Sequence, residues 1–172
     1  DSSYPVIVYF YEKYSDELHR HRIPSPSRSV ISFPLFTSNG YIIFVPDIHY
    51  QTGYPGQSAL QSVMSGITHV LLANRWVDKE RIGLQGQSWG GYQVAYIITQ
   101  TGFFRAAMAG APVSNMTSAY GGIRWGSGLS RMFQYEKSQS RLDATLWSNP
   151  NRFIENSPLF YADRITTPLL IM

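Results

Sequence analysis

Apolar residues follow two rhythms along this chain. Near-continuous apolar runs occur at Val6–Tyr11, Tyr41–Pro46 and Pro168–Met172. Two shorter stretches, Arg81–Gln85 and the small-residue run Arg105–Gly110, have the same strand length. Runs of this kind suit strands of a sheet covered on both faces. Between them the rhythm changes: Leu60, Val63, Met64, Ile67, Val70 and Leu71 recur every three or four residues. That spacing predicts a long amphipathic helix. Gly90–Thr101 predicts a second helix, with Gly102 placed to end it. Ser25-Pro26 can open a short helix that Pro34 is expected to interrupt. Val77–Glu80 reads as a turn, and Glu12–Pro26 and Asp47–Gln57 as loops. Residues 114–158 read as an insertion of loop and short helices that covers the site. Strand and helix thus alternate along a single domain spanning 1–172. The expected class is α/β: a mostly parallel sheet with helices on both faces.

Composition narrows the partners. The 172 residues are 44% hydrophobic and carry a formal net charge of +3, with no cysteine. Disulfides and cysteine metal sites are excluded, and the compartment, cytoplasmic or periplasmic, stays open. The mild positive charge gives no nucleic-acid footprint, and the basic run His19–Arg22 reads as a solvated loop. The longest apolar run is of strand length, so no membrane span is expected. His19 and His21 lack suitably spaced partners for a metal. The segment "GGIRWGSG" is a glycine-rich loop without the lysine of a phosphate-binding loop, and no cofactor is expected.

The candidate chemistry lies at Gly86-Gln87-Ser88-Trp89-Gly90. A serine hydroxyl is a weak nucleophile that must be held out of the surface to meet a base. A G-x-S-x-G turn does this by bending the chain sharply from strand into helix. Gly86 and Gly90 leave room for the bend, and Gly91 lets the helix pack closely on the sheet. The N–H of Trp89, at the head of that helix, is placed to bind a developing oxyanion. Glycine turns between strand and helix also bind phosphate or merely connect; the strand before and the helix after favour the nucleophile.

"VDKERIGLQGQSWGGYQVA" resembles the catalytic domain of the prolyl oligopeptidase family of serine peptidases, and most closely its dipeptidyl peptidase and acylaminoacyl peptidase branches. "YPVIVYFY", "AMAGAPVSNM" and "NSPLFYADRITTPLLIM" resemble flanking segments of the same domain. The resemblance implies an α/β-hydrolase fold, incomplete at the C-terminus. It implies Ser88 as nucleophile and the Trp89 N–H as one oxyanion donor. Tyr11, just after the first strand, matches a tyrosine whose hydroxyl is a second donor; a core aromatic at a strand end is the plain alternative. Tyr9 competes for that place, but strand alternation should turn it elsewhere. Val113 and Met116, with Tyr92 and Trp89 nearby, match the pocket for the residue before the scissile bond. The family often adds two tyrosines a little further along, and in "TSAYGGIRW" only Tyr120 is a candidate for that place. Core packing is an equal reading for Met116 and Tyr120.

Hydrolases of this fold order their triad as Ser, then Asp or Glu, then His. All four histidines, His19, His21, His49 and His69, precede Ser88. The expected acid and base therefore lie outside the chain, which alone should be nearly inactive. The resemblance also implies a β-propeller elsewhere in the parent protein, and peptide substrates. Oligomeric state is left open. Two other functions compete: a carboxylester hydrolase on the same fold, and a degenerate hydrolase serving as a binding domain.

Overall fold

The computed structural model describes residues 3–172. In chain order its regular elements begin with β1 (Tyr4–Tyr9), α1 (Phe33–Ser38), β2 (Ile42–Phe44) and α2 (Pro55–Ala73). Next come β3 (Val77–Gln87), α3 (Trp89–Gln100) and β4 (Ala106–Gly110). The insertion holds α4 (Met116–Tyr120), a hairpin of β5 (Ile123–Arg124) and β6 (Leu129–Ser130), α5 (Met132–Glu136) and α6 (Pro150–Glu155). A 3₁₀ segment at Pro158–Arg164 leads to β7 (Leu169–Ile171). The main sheet is fully parallel, in the order β2-β1-β3-β4-β7.

Alternation along the strands sorts the core. Val6 and Val8 of β1 and Ile82 and Leu84 of β3 face α2 and α3, where Val63, Ile67, Val94, Ile97 and Ile98 close over them. Burying a side chain of this size contributes roughly 1.5–3 kcal/mol. The helical rhythm read in the sequence is therefore a rhythm of burial, and α2 keeps Leu72 on its exposed side. On the opposite face α1 packs through Phe33, edge-on to Tyr9. Helices thus stand on both faces of the sheet. Ile7, Gly83, Gln85, Met108 and Leu170 line an open groove beside α1 with Phe36.

Several boundaries differ from the sequence reading: β1 is Tyr4–Tyr9 where the apolar run predicts Val6–Tyr11, and α2 begins at Pro55, inside the expected loop Asp47–Gln57. The first helix starts at Phe33, not at Pro26, and Pro34 sits in its first turn, where its missing N–H leaves no bond unmade. Val77–Glu80 belongs to β3, yet the expected turn survives as a bulge: Tyr4 pairs with Val77 while Val6 pairs with Ile82. Asp78 closes that bulge by accepting from the Glu80 N–H and from Arg81 Nε. Finally, β2 is confined to Ile42–Phe44, because Pro46 cannot donate to a ladder.

Candidate active site

The residues of the elbow stand at the carboxyl edge of the sheet, where β3 ends at Gln87 and α3 begins at Trp89. Ser88 is the hinge between them, at φ 57° and ψ −111°. An L-residue with a side chain rarely adopts such a backbone, and holding it costs roughly 1–3 kcal/mol. Two hydrogen bonds fix it: Ser88 N–H donates to the Gly110 carbonyl at 2.7 Å, and Tyr92 N–H donates to the Ser88 carbonyl at 2.9 Å. The side chain is exposed and does not cap the helix that it precedes. Its oxygen is thereby presented outward at a helix N-terminus. Trp89, in the first turn, has an N–H with no acceptor inside the helix.

Gly86 and Gly90 are required by space. A Cβ on Gly86 would overlap the Gly90 carbonyl, and one on Gly90 would overlap the Phe10 carbonyl and lie 3.8 Å from the Tyr11 Cα. The head of α3 is therefore wedged against the end of β1, bringing Tyr11 alongside the elbow. Tyr9 turns away, buried against Phe33 and Tyr14.

A buried polar network joins the two oxyanion candidates. Trp89 Nε1 donates to the Tyr50 hydroxyl at 2.9 Å. That hydroxyl lies 3.2 Å from both the Tyr11 carbonyl and Gln93 Oε1, and has one proton for the two. Gln93 Nε2 donates to the Tyr11 carbonyl at 2.6 Å and to the Trp89 carbonyl at 3.2 Å. Burial pushes the Tyr50 hydroxyl well above the usual tyrosine range, so it stays a neutral donor. Arg141 stacks over the Tyr50 ring, 4.4 Å from its centroid, and pairs with Glu12 at 3.0 Å. The sequence reading named neither Tyr50 nor Gln93 as a site residue. Gln93 carried a signal: it is a fully buried amide in a helix of apolar neighbours, one turn beyond Trp89. Tyr50→Phe leaves the indole N–H of Trp89 buried without an acceptor. The expected loss is ~1–3 kcal/mol, read as a fall in the urea midpoint at unchanged slope.

The pocket candidates lie at different depths. Val113 is half-buried at the surface. Tyr92, Met116 and Tyr120 are closed inside an aromatic cluster with Trp89, Tyr135 and Phe153. Tyr92 stacks on Trp89 at 4.4 Å, and its hydroxyl is buried without a partner. Tyr120 meets Phe153 edge-on, and its hydroxyl bonds Glu136; burial first, then that carboxylate, raises its pKa. The insertion grips the neighbouring loops, since the Gly53 N–H donates to the Arg141 carbonyl at 2.7 Å. His19, His21, His49 and His69 are all exposed. Among the described residues no cluster of three or more His, Asp or Glu side chains could hold a metal ion, and no helix is long and apolar enough to cross a membrane.

The sequence profile of the prolyl oligopeptidase family matches residues 26–172. The chain belongs to that family. An uncharacterized peptidase, YuxL, of Bacillus subtilis (strain 168) is 28% identical over 117 residues, which is 68% of this chain and 17% of that protein. Dipeptidyl peptidase 8 of Homo sapiens is 26% identical over 125 residues, 64% of this chain and 14% of its own length. The acylaminoacyl peptidase of Pyrococcus horikoshii superposes over 99% of this chain and 27% of its own, with a TM-score of 0.72 at 22% identity. A putative dipeptidyl aminopeptidase IV from Bacteroides ovatus gives 0.70 at 24% identity, over 99% of this chain and 23% of that one. The fold is the α/β-hydrolase fold of these serine peptidases. The chain thus spans about a quarter or less of the proteins it matches.

Proposed function

We propose that the full-length protein hydrolyses peptide bonds through an acyl-enzyme on Ser88. The observation that carries this reading is the exposed Ser88 at positive φ, at the N-terminus of α3, with the Trp89 N–H and Tyr11 beside it. A base takes the Ser88 proton as Oγ attacks the substrate carbonyl. The new oxyanion accepts from the Trp89 N–H and the Tyr11 hydroxyl, and the C–N bond breaks as the leaving amine takes the proton from the base. Water then attacks the acyl ester by the same route to free the acid product and Ser88. The chain's own histidines are surface residues upstream of Ser88, so in this reading the base and its acid come from the rest of the full-length protein. The 172 residues alone then turn over substrate at about a millionth of the full rate. The substrate's side chain before the scissile bond rests against the half-buried Val113, with the buried Trp89 behind it. Tyr92, Met116 and Tyr120 form the wall behind it, and the insertion covers the site. A β-propeller in the full-length protein would limit access to short peptides.

The test is a paired assay on the full-length protein and its Ser88→Ala variant, using dipeptidyl and acylaminoacyl p-nitroanilides against p-nitrophenyl acetate. Anilide turnover that disappears in Ser88→Ala is expected. Turnover of the ester alone would make the protein an esterase, and turnover of neither would leave it a binding domain.

A further inference from the structure

Tyr11 does not stand free. Its hydroxyl oxygen accepts from Gln139 Nε2 at 2.8 Å. Gln139 Oε1 in turn accepts from Gln134 Nε2 at 2.7 Å, and Gln134 Oε1 accepts from Arg124 Nη2 at 2.9 Å. Three parts of the insertion supply this chain of bonds: β5, α5 and the turn after α5. The turn itself is fixed, because Arg141 Nη1 donates to the Gln139 carbonyl at 2.6 Å while pairing with Glu12, the residue after Tyr11.

We propose that Gln139 is a positioning residue that turns the Tyr11 proton toward the oxyanion, and that Arg124 sets the direction of the chain through Gln134. This rests on the reading of Tyr11 as an oxyanion donor. A guanidinium donates and never accepts. Gln134 must therefore show Arg124 its oxygen, which leaves its NH₂ for Gln139. Gln139 must then show Gln134 its oxygen, which leaves its own NH₂ for Tyr11. The Tyr11 oxygen is thus an acceptor on the Gln139 side, and its single proton points away from Gln139. Reversing Gln134 would set its NH₂ against the Arg124 guanidinium, and reversing Gln139 alone would set its NH₂ against that of Gln134. Bonds linked in one direction also polarise one another, which makes the terminal hydroxyl a better donor.

The test uses the full-length protein. Its readouts are the rate constant for fluorophosphonate labelling of Ser88, and kcat and KM on the best p-nitroanilide. Tyr11→Phe removes one oxyanion donor and is expected to slow labelling about 100-fold. Gln139→Leu removes the bond and is expected to lower kcat about 10-fold at unchanged KM. Gln139→Glu keeps the shape but offers a carboxylate that can only accept. It pulls the Tyr11 proton off the site, and is expected to lose at least as much as Gln139→Leu. Arg124→Glu, an exposed change remote from the elbow, lets the chain reverse and is expected to lower kcat several-fold, more than Arg124→Ala. In a Tyr11→Phe background all four changes are expected to be silent. Wild-type rates in Gln139→Glu would overturn the positioning role, as would a loss that persists in full without the Tyr11 hydroxyl. Wild-type labelling in Tyr11→Phe would instead remove Tyr11 from the oxyanion site. If Gln139→Glu lowers the melting temperature, the comparison of Arg124→Glu with Arg124→Ala decides, and equal rates there count against the proposal.

Discussion

Ser88→Gly is expected to make the full-length protein more stable and almost wholly inactive. Loss of the proposed nucleophile should lower kcat about a millionfold. The gain in stability has a separate cause. Ser88 sits at φ 57° and ψ −111°, which costs a serine roughly 1–3 kcal/mol and a glycine little. Glycine gives back about 0.5–1 kcal/mol through the greater freedom of its unfolded chain. A net gain of ~1 kcal/mol remains, visible as a melting temperature a few degrees higher. Ser88→Ala should lose the same activity without that gain, because alanine keeps the strained Cβ. An equal rise in both variants would mean that the hydroxyl, and not the backbone, stores the strain.

The second large effect is at Gly86. A methyl there meets the Gly90 carbonyl, which cannot retreat because Gly90 itself lies against the Phe10 carbonyl. Backbone on both sides leaves no flexible side chain to yield. Gly86→Ala is expected to lose at least ~3 kcal/mol and to displace Ser88, so activity falls with stability. Gly121→Ala is the control: a Cβ there meets nothing within 4 Å, and the expected change is within ~0.5 kcal/mol. Chemical denaturation of the two variants, with anilide turnover measured alongside, checks both values. A Gly86→Ala protein with wild-type stability would mean that the elbow is looser than its contacts imply.

What the sequence shows and hides follows from the range of each interaction. The strand around Val6 and Val8, the helix through Val63 and Ile67, and the elbow at Ser88 are local patterns. Apolar period and glycine spacing are enough to find them. Pro34 misled because a proline that breaks a helix in the middle is welcome in its first turn, and the pattern of six residues is too short to show where that turn lies. Val77–Glu80 read correctly as a change of direction but not as part of a strand, since a bulge is defined by the partner strand. The networks were out of reach for a different reason. Tyr50, Gln93 and Gln139 matter because folding brings them to Tyr11 from 39, 82 and 128 residues away. A glutamine in "EKSQSR" has no periodicity to mark it, and only its neighbour in space gives it a role.

The central claim is that Ser88 is the nucleophile of a peptidase. Labelling the full-length protein with a fluorophosphonate, then locating the adduct by mass spectrometry while following anilide turnover, tests it most directly. The expected result is one adduct per chain, on Ser88, with turnover lost in step with labelling. Turnover that continues after Ser88 is fully labelled, or an adduct on another residue that alone accounts for the loss, would contradict it.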